Sequence, residues 1–199
     1  AGLMNQQSLL PDYPTNPLFG QGVFRRRIRL TAQPGMVVAE LEDCNHGFRC
    51  RIWHDDQQIT EIHSESLRTP LSNCSGASEP LRALIGMPID ANFSDIRSRA
   101  APKANCTHLY DLSLLAIAQI VRGLGTREYD VAISDENNCP AKLTLACNGE
   151  ALLEWQVRDW QIISPTELQG ESLTKGFYLW AHNRFHDDLL EAVLVLQKG

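Results

Sequence analysis

The chain has 199 residues, 43% of them hydrophobic, a formal net charge of -6 and an isoelectric point near 5.5. That is enough apolar material for a buried core in one large body or two small ones. The acidic balance argues against binding to phosphate backbones, which normally rests on a basic excess or a basic face, so nucleic acid is not an expected partner.

No run approaches the roughly 18 apolar residues needed to cross a bilayer, and the start "AGLMNQQSLLPDYPTNPLFGQG" lacks the basic-then-apolar order of a secretion signal. A cytoplasmic protein is expected, without membrane binding. Residues 1–22 are proline-rich and aperiodic, so they read as an extended arm. Residues 23–199 read as a single compact domain, with halves 23–125 and 126–199 as a possible division. The six cysteines (Cys44, Cys50, Cys74, Cys106, Cys139 and Cys147) are then expected to be reduced, most as small core residues and a minority as ligands or nucleophiles.

The first ordered stretches are "VFRRRIRL" (23–30), "MVVAELED" (36–43), "GFRCRIWHD" (47–55) and "QQITEIHSE" (57–65). They are short, alternating or β-branched, and separated by Gly, Asn or Asp turns, which predicts an antiparallel meander. In the third, Phe48, Cys50, Ile52 and His54 fall on one face and Arg49, Arg51 and Trp53 on the other. "SEPLRALIGMP" follows with Ser78 as a candidate cap, Pro80 in the first turn and Gly86 as a stop, predicting a short helix. After a loop, "IDANFSDIRSRAAPKA", a longer helix is expected from about Cys106 to Arg122, with Leu109, Leu112, Ala116 and Ile120 on one stripe and "GLG" ending it.

Strands return in "REYDVAIS" (127–134), "AKLTLAC" (141–147) and "ALLEWQVRDWQIIS" (151–164), with Asn148-Gly149 as a hairpin turn. Two helical stretches close the chain, "LTKGFYLWAHNRF" and "DDLLEAVLVLQK", with Asp187 as the cap of the second. The fold class is α+β: antiparallel meanders with helices packed on one face, with a hint of a duplicated meander-plus-helix unit.

"NCTHLYD" (105–111) carries the strongest chemistry. If Asn105 caps the long helix, Cys106 and His108 occupy its first turn, where unpaired N–H groups and the positive dipole end favour a thiolate. Asp111, three residues past His108, can meet it on one flank. Cys74 in "NCSGASEP" presents a second thiol just before the other helix. Cys74, Cys106, His108 and Asp111 form a donor set suited to a divalent metal, zinc or iron. The alternative is that these residues only cap and pack.

The strings "VVAELEDCNHGFRCRIWHD", "ESLRTPLSNCSGASEPLRALIGMPI" and "NCTHLYDLSLLAIA" resemble a bacterial family of domains of unknown function (DUF2889-like). More remotely, three strands, a loop cysteine before a helix and a helix opening with Cys and His resemble the NifU/IscU iron–sulfur scaffold fold. That resemblance implies a NifU/IscU-like first half, with Cys74 as the loop cysteine and Cys106 and His108 as the helix-opening pair. Here Thr107 separates that pair, and residues 75–105 contain no cysteine.

Three further groups carry candidate chemistry. Asp43, His46, His54 and Asp55 cluster around one hairpin and could do acid–base work. Arg25, Arg27 and Arg29 alternate onto one strand face and could hold a substrate carboxylate. His182 and His186 stand at metal-ligand spacing, but the zincin glutamate is missing. Neither a Gly-rich phosphate loop nor a Gly-x-Ser-x-Gly elbow occurs.

The expected function is metal-assisted or acid–base chemistry, of hydrolase or lyase type, on a small carboxylated or aromatic molecule. Cys106, His108 and Asp111 would be catalytic and the arginine row would bind substrate. The alternatives are a zinc or iron–sulfur carrier and a metal-free interaction module. Oligomeric state is not legible in the sequence.

Overall fold

The computed structural model describes residues 22–68 and 79–199. They fall into two compact units, one built from Ile28–Arg127 and the other from residues 22–27 with Glu128–Gly199. The division lies beside the 125/126 boundary considered above. The expected arm, residues 1–22, lies outside the described residues apart from Gly22.

The first unit is a meander of strands β1 (Val23–Gln33, its later part), β2 (Met36–Asp43), β3 (Gly47–His54) and β4 (Ile59–Arg68), in the order β4-β3-β2-β1. β2 and β4 both run antiparallel to β3. Alternation decides which face is buried. Val37, Ala39 and Leu41 stand opposite Ile52, Cys50 and Phe48, and all six are buried.

Helix α2 (Thr107–Arg122) packs on β2 and β3. Leu109, Leu112, Ala116 and Ile120 form its buried stripe, as their helical spacing requires. Gly123 ends it with φ 106, a conformation that glycine adopts without the Cβ clash other residues meet. Burial pushes the Cys50 thiol up to about 12, so Cys50 is core filler and not a nucleophile.

The other face of this sheet is charged. Arg49 sits between Glu40 and Glu65 in the register. Its Nε donates to Glu40 at 2.8 Å, and Arg51 Nη1 donates to Glu65 at 2.6 Å. The Arg51 hydrogen bond is the main cause holding the Glu65 carboxyl below its ordinary range.

A depressed folded-state pKa contributes stability that is present above the unfolded pKa, about 4.3 for Glu, and is lost as pH falls through the folded value. Glu65→Gln is therefore expected to lower the urea midpoint at neutral pH and to converge on the native chain well below about pH 4. Unfolding curves across pH check this, and a gap that does not close in acid contradicts it.

Two expectations for this unit need correction. The stretch around Pro80 forms a 3₁₀ segment, Glu79–Leu84, and not an α-helix. The expected loop contains helix α1 (Phe93–Arg99), whose Asn92 cap accepts the Asp95 N–H at 3.1 Å. Such side-chain capping supports a helix even in a short polar stretch.

In the second unit, β5 (Gly125–Ser134), β6 (Ala141–Cys147), β7 (Glu150–Arg158) and β8 (Gln161–Ser164) follow in order, each antiparallel to the next. Asn148 and Gly149 make the β6–β7 turn with φ 51 and 81, the left-handed pair of a type I′ hairpin. The expected strand 151–164 is instead two strands. Asp159 and Trp160, with φ 51 and 62, turn the chain between them. No glycine announces that turn.

Helices α3 (Phe177–Arg184) and α4 (Asp187–Gln197) complete the unit, and Trp155, Tyr129, Leu145, Phe177, Val193 and Leu196 lie in its core. His186, not Asp187, is the cap residue of α4.

Candidate functional site

Asp43 is the last residue of β2, and Gly47 opens β3. The link between them is built around the Asp43 side chain. Its Oδ1 accepts the backbone N–H groups of Asn45 and His46, both at 2.8 Å, the local closure that Asp favours in turns. The His46 ring nitrogen Nδ1 stands 3.0 Å and 3.1 Å from the two carboxylate oxygens. The Asp43 side chain is fully buried and that of His46 is 17% exposed. An ionised carboxylate accepts only, so a hydrogen bond between this ring nitrogen and an ionised Asp43 requires the proton on His46 Nδ1.

The ring of His46 meets His108, with centroids 4.2 Å apart. His108 also stacks on Phe48 at 5.5 Å and 15°. The β2–β3 turn therefore presents one imidazole and the first turn of α2 a second, over the floor supplied by Phe48. A bulge between Gly47 and Phe48, in the pairing with β4, lies at the same place. Bulges of this kind re-aim side chains beside a site.

A second buried carboxylate, Glu42, lies one residue earlier. Arg68, the last residue of β4, reaches it with Nη2 at 3.1 Å. The same nitrogen donates to the carbonyls of Asp43 and His46, the latter at 3.1 Å. Both ends of the histidine turn are thus tied to β4.

Cys106 is itself the N-cap of α2, half-buried, and its side chain makes no capping hydrogen bond. Asn105, expected as the cap, instead donates from Nδ2 to Ala101 and ends the 3₁₀ turn Pro102–Ala104. The shift moves His108 to the second helical position. The amides of the first turn have no side-chain acceptor from the cap and keep the positive dipole end. Asp111 is half-buried on α2 beside Tyr110.

Cys74 lies outside the described residues. Among the described residues no three His, Cys, Asp or Glu side chains are placed to hold a metal ion.

The arginine row is on β1. Arg27 is held bidentately by Asp130, Nε–Oδ1 2.7 Å and Nη2–Oδ2 2.9 Å, so the fork offered to a substrate acid is occupied within the protein. Arg25 and Arg29 are half-buried on the same strand. His54 turns to the Asp55 carbonyl at 3.0 Å. Asp55 accepts two backbone N–H groups, which lower its pKa. The His/Asp cluster considered from sequence therefore divides, and only Asp43 and His46 join His108. His182, whose pKa burial lowers, packs on the Tyr178 ring at 4.1 Å.

Residues 26–122 match the family described as Protein of unknown function (DUF2889). The matched segment contains Glu42, Asp43, His46, Phe48, Arg68 and His108, and it ends on the last residue of α2. No curated protein matches the chain. No helix among the described residues is long and apolar enough to cross a membrane.

Proposed function

We propose that the corner where the β2–β3 turn meets the start of α2 is an acid–base site for a small molecule, with reactions of the hydrolase or lyase type. The observation that carries this reading is a buried carboxylate, Asp43, bonded to His46 Nδ1 while a second imidazole, His108, contacts the same ring.

The Asp43 bond holds the proton on Nδ1, which leaves the lone pair on Nε2 as a base. In hydrolysis, Nε2 takes a proton from water as the water oxygen bonds to the substrate carbon. His108 gives a proton to the departing group as its bond to that carbon breaks. Proton exchange between the two rings restores the starting state. The positive end of the α2 dipole, at whose first turn His108 stands, favours negative charge developing on an oxygen there. The adjoining imidazole rings of His46 and His108, backed by the buried Phe48, suit a planar or aromatic substrate.

A zinc or iron ion would draw on Cys74, Cys106, His108 and Asp111, of which Cys74 lies outside the described residues and the other three are not grouped as they would have to be to hold it. The acid–base reading depends on Asp43, His46 and His108 alone.

A panel of small esters, lactones, amides and β-substituted acids, offered to the native chain and to His46→Gln, tests the proposal. Turnover by the native chain that His46→Gln loses while keeping its circular dichroism spectrum supports it. Equal turnover by both removes His46 from the chemistry. Metal analysis of the same samples reports whether a bound ion accompanies activity.

A further inference from the structure

We infer that Arg68 is a positioning residue for the Asp43–His46 pair, setting the orientation from which His46 exchanges its proton; this rests on the acid–base reading above. Asp43 and His46 sit on a turn, and turns wander unless their backbone groups are tied. Asp43 Oδ1 and the Asp43 N–H, which donates to the His46 carbonyl at 3.0 Å, close the turn locally, and further ties come from another strand. Arg68 Nη2 donates to the carbonyls of both Asp43 and His46, the two ends of the turn that carries the pair. It also donates to Glu42 Oε1 at 3.1 Å.

Glu42 and Arg68 are themselves held. Their side chains are 3% and 18% exposed, so the ion pair is largely shielded from solvent, where one guanidinium facing a carboxylate is most directional. Phe48 and Gly47 pair with Ser66 and Arg68 across a bulge that leaves Leu67 of β4 as the extra residue. The backbone of β4 thus registers the start of β3, while the Arg68 side chain registers the turn before it. All three contacts leave from the single nitrogen Nη2, so a lysine ammonium keeps the donors but, on a side chain one atom shorter, not the reach.

Arg68 does not touch the imidazole in any of these contacts. It acts through the carbonyls and through Glu42, so its removal should disturb the tautomer and reactivity of His46 while leaving the ring present. Stability alone would not distinguish this from a structural role. A property of the imidazole itself is needed.

The test uses the full chain labelled with nitrogen-15, in native form and as Arg68→Met, Arg68→Lys and Glu42→Gln. Imidazole nitrogen spectra give the His46 tautomer, and diethyl pyrocarbonate acylation, followed residue by residue by mass spectrometry, gives its reactivity across pH. The expected result is a single Nδ1–H tautomer in the native chain and a mixed one in Arg68→Met. His46 acylation should slow on the order of tenfold, less than the roughly 10²–10⁴-fold that a positioned proton-transfer group supplies, because the ring and Asp43 both remain. Arg68→Lys should recover it only in part.

Glu42→Gln keeps the shape of the corner and serves if Arg68→Met does not fold. It should shift His46 in the same direction by less. An Arg68→Met protein, or in its place a Glu42→Gln protein, with lower stability but an unchanged tautomer and acylation profile overturns the positioning role and leaves the acid–base reading standing. A native chain whose His46 is not in the Nδ1–H form overturns both.

Discussion

Asp43→Asn is expected to leave the fold in place and to lower turnover by about 10²–10⁴-fold, the range associated with a positioned proton-transfer group. Asparagine has the same shape, and its carbonyl can still accept the Asn45 and His46 N–H groups that Asp43 Oδ1 accepts at 2.8 Å. What changes is the bond to the ring. The amide nitrogen of asparagine donates, so it can hold His46 in the opposite tautomer with the proton on Nε2. The base is then capped by the proton it should remove. Loss of a charge-assisted acceptor at a buried position should also cost about 1–3 kcal/mol of stability. Rates for the active substrate, together with urea unfolding, separate the two effects. A rate within threefold of native, in a folded protein, contradicts the role given to Asp43.

Leu112→Ala should destabilise the first unit by about 3 kcal/mol, within the range of about 2–5 kcal/mol found for such truncations. Leu112 is fully buried on α2, and α2 packs on β2 and β3. The loss combines the transfer energy of the removed carbons with the void left between a helix and a sheet that cannot easily close. The effect should reach the site, because His108 stands one helical turn before Leu112 and its ring contact with His46 depends on where α2 begins. Urea unfolding measures the first part, and the His108 imidazole spectrum the second. A loss below about 1 kcal/mol would place Leu112 outside a tightly packed core.

The contrast between strands and turns shows what the sequence makes legible. β2 and β6 match their sequence expectations because alternation along a half-buried strand is a local signal. Asn148-Gly149 is equally local, since asparagine and glycine tolerate left-handed backbone. Asp159 and Trp160 adopt the same conformation without that composition, so the break between β7 and β8 stays hidden. The helix α1 is hidden for a related reason, being seven residues long with one buried apolar position, Ile96.

The site divides in the same way. "NCTHLYD" points to His108 because Cys, His and Asp near a helix start are visible in one glance. Its ring neighbours are not. His46 comes from a hairpin turn far back in the chain, and only the packing of α2 across β2 and β3 brings the two together. A signal was present in the repetition of Cys44-Asn45-His46 as Cys106-Thr107-His108, and in the spacing of Asp43 and His46, which suits an Asp-closed turn. Arg68 gives no such cue, because its partners are two backbone carbonyls and a glutamate on another strand.

The imidazole nitrogen spectrum of His46 in the native chain, recorded about one unit above the ordinary histidine pKa near 6.5, tests the acid–base reading most directly. A single neutral form, protonated on Nδ1 and hydrogen-bonded to Asp43, with the signal lost in Asp43→Asn, is the predicted result. A ring protonated on Nε2, or averaging freely between both forms, would contradict it.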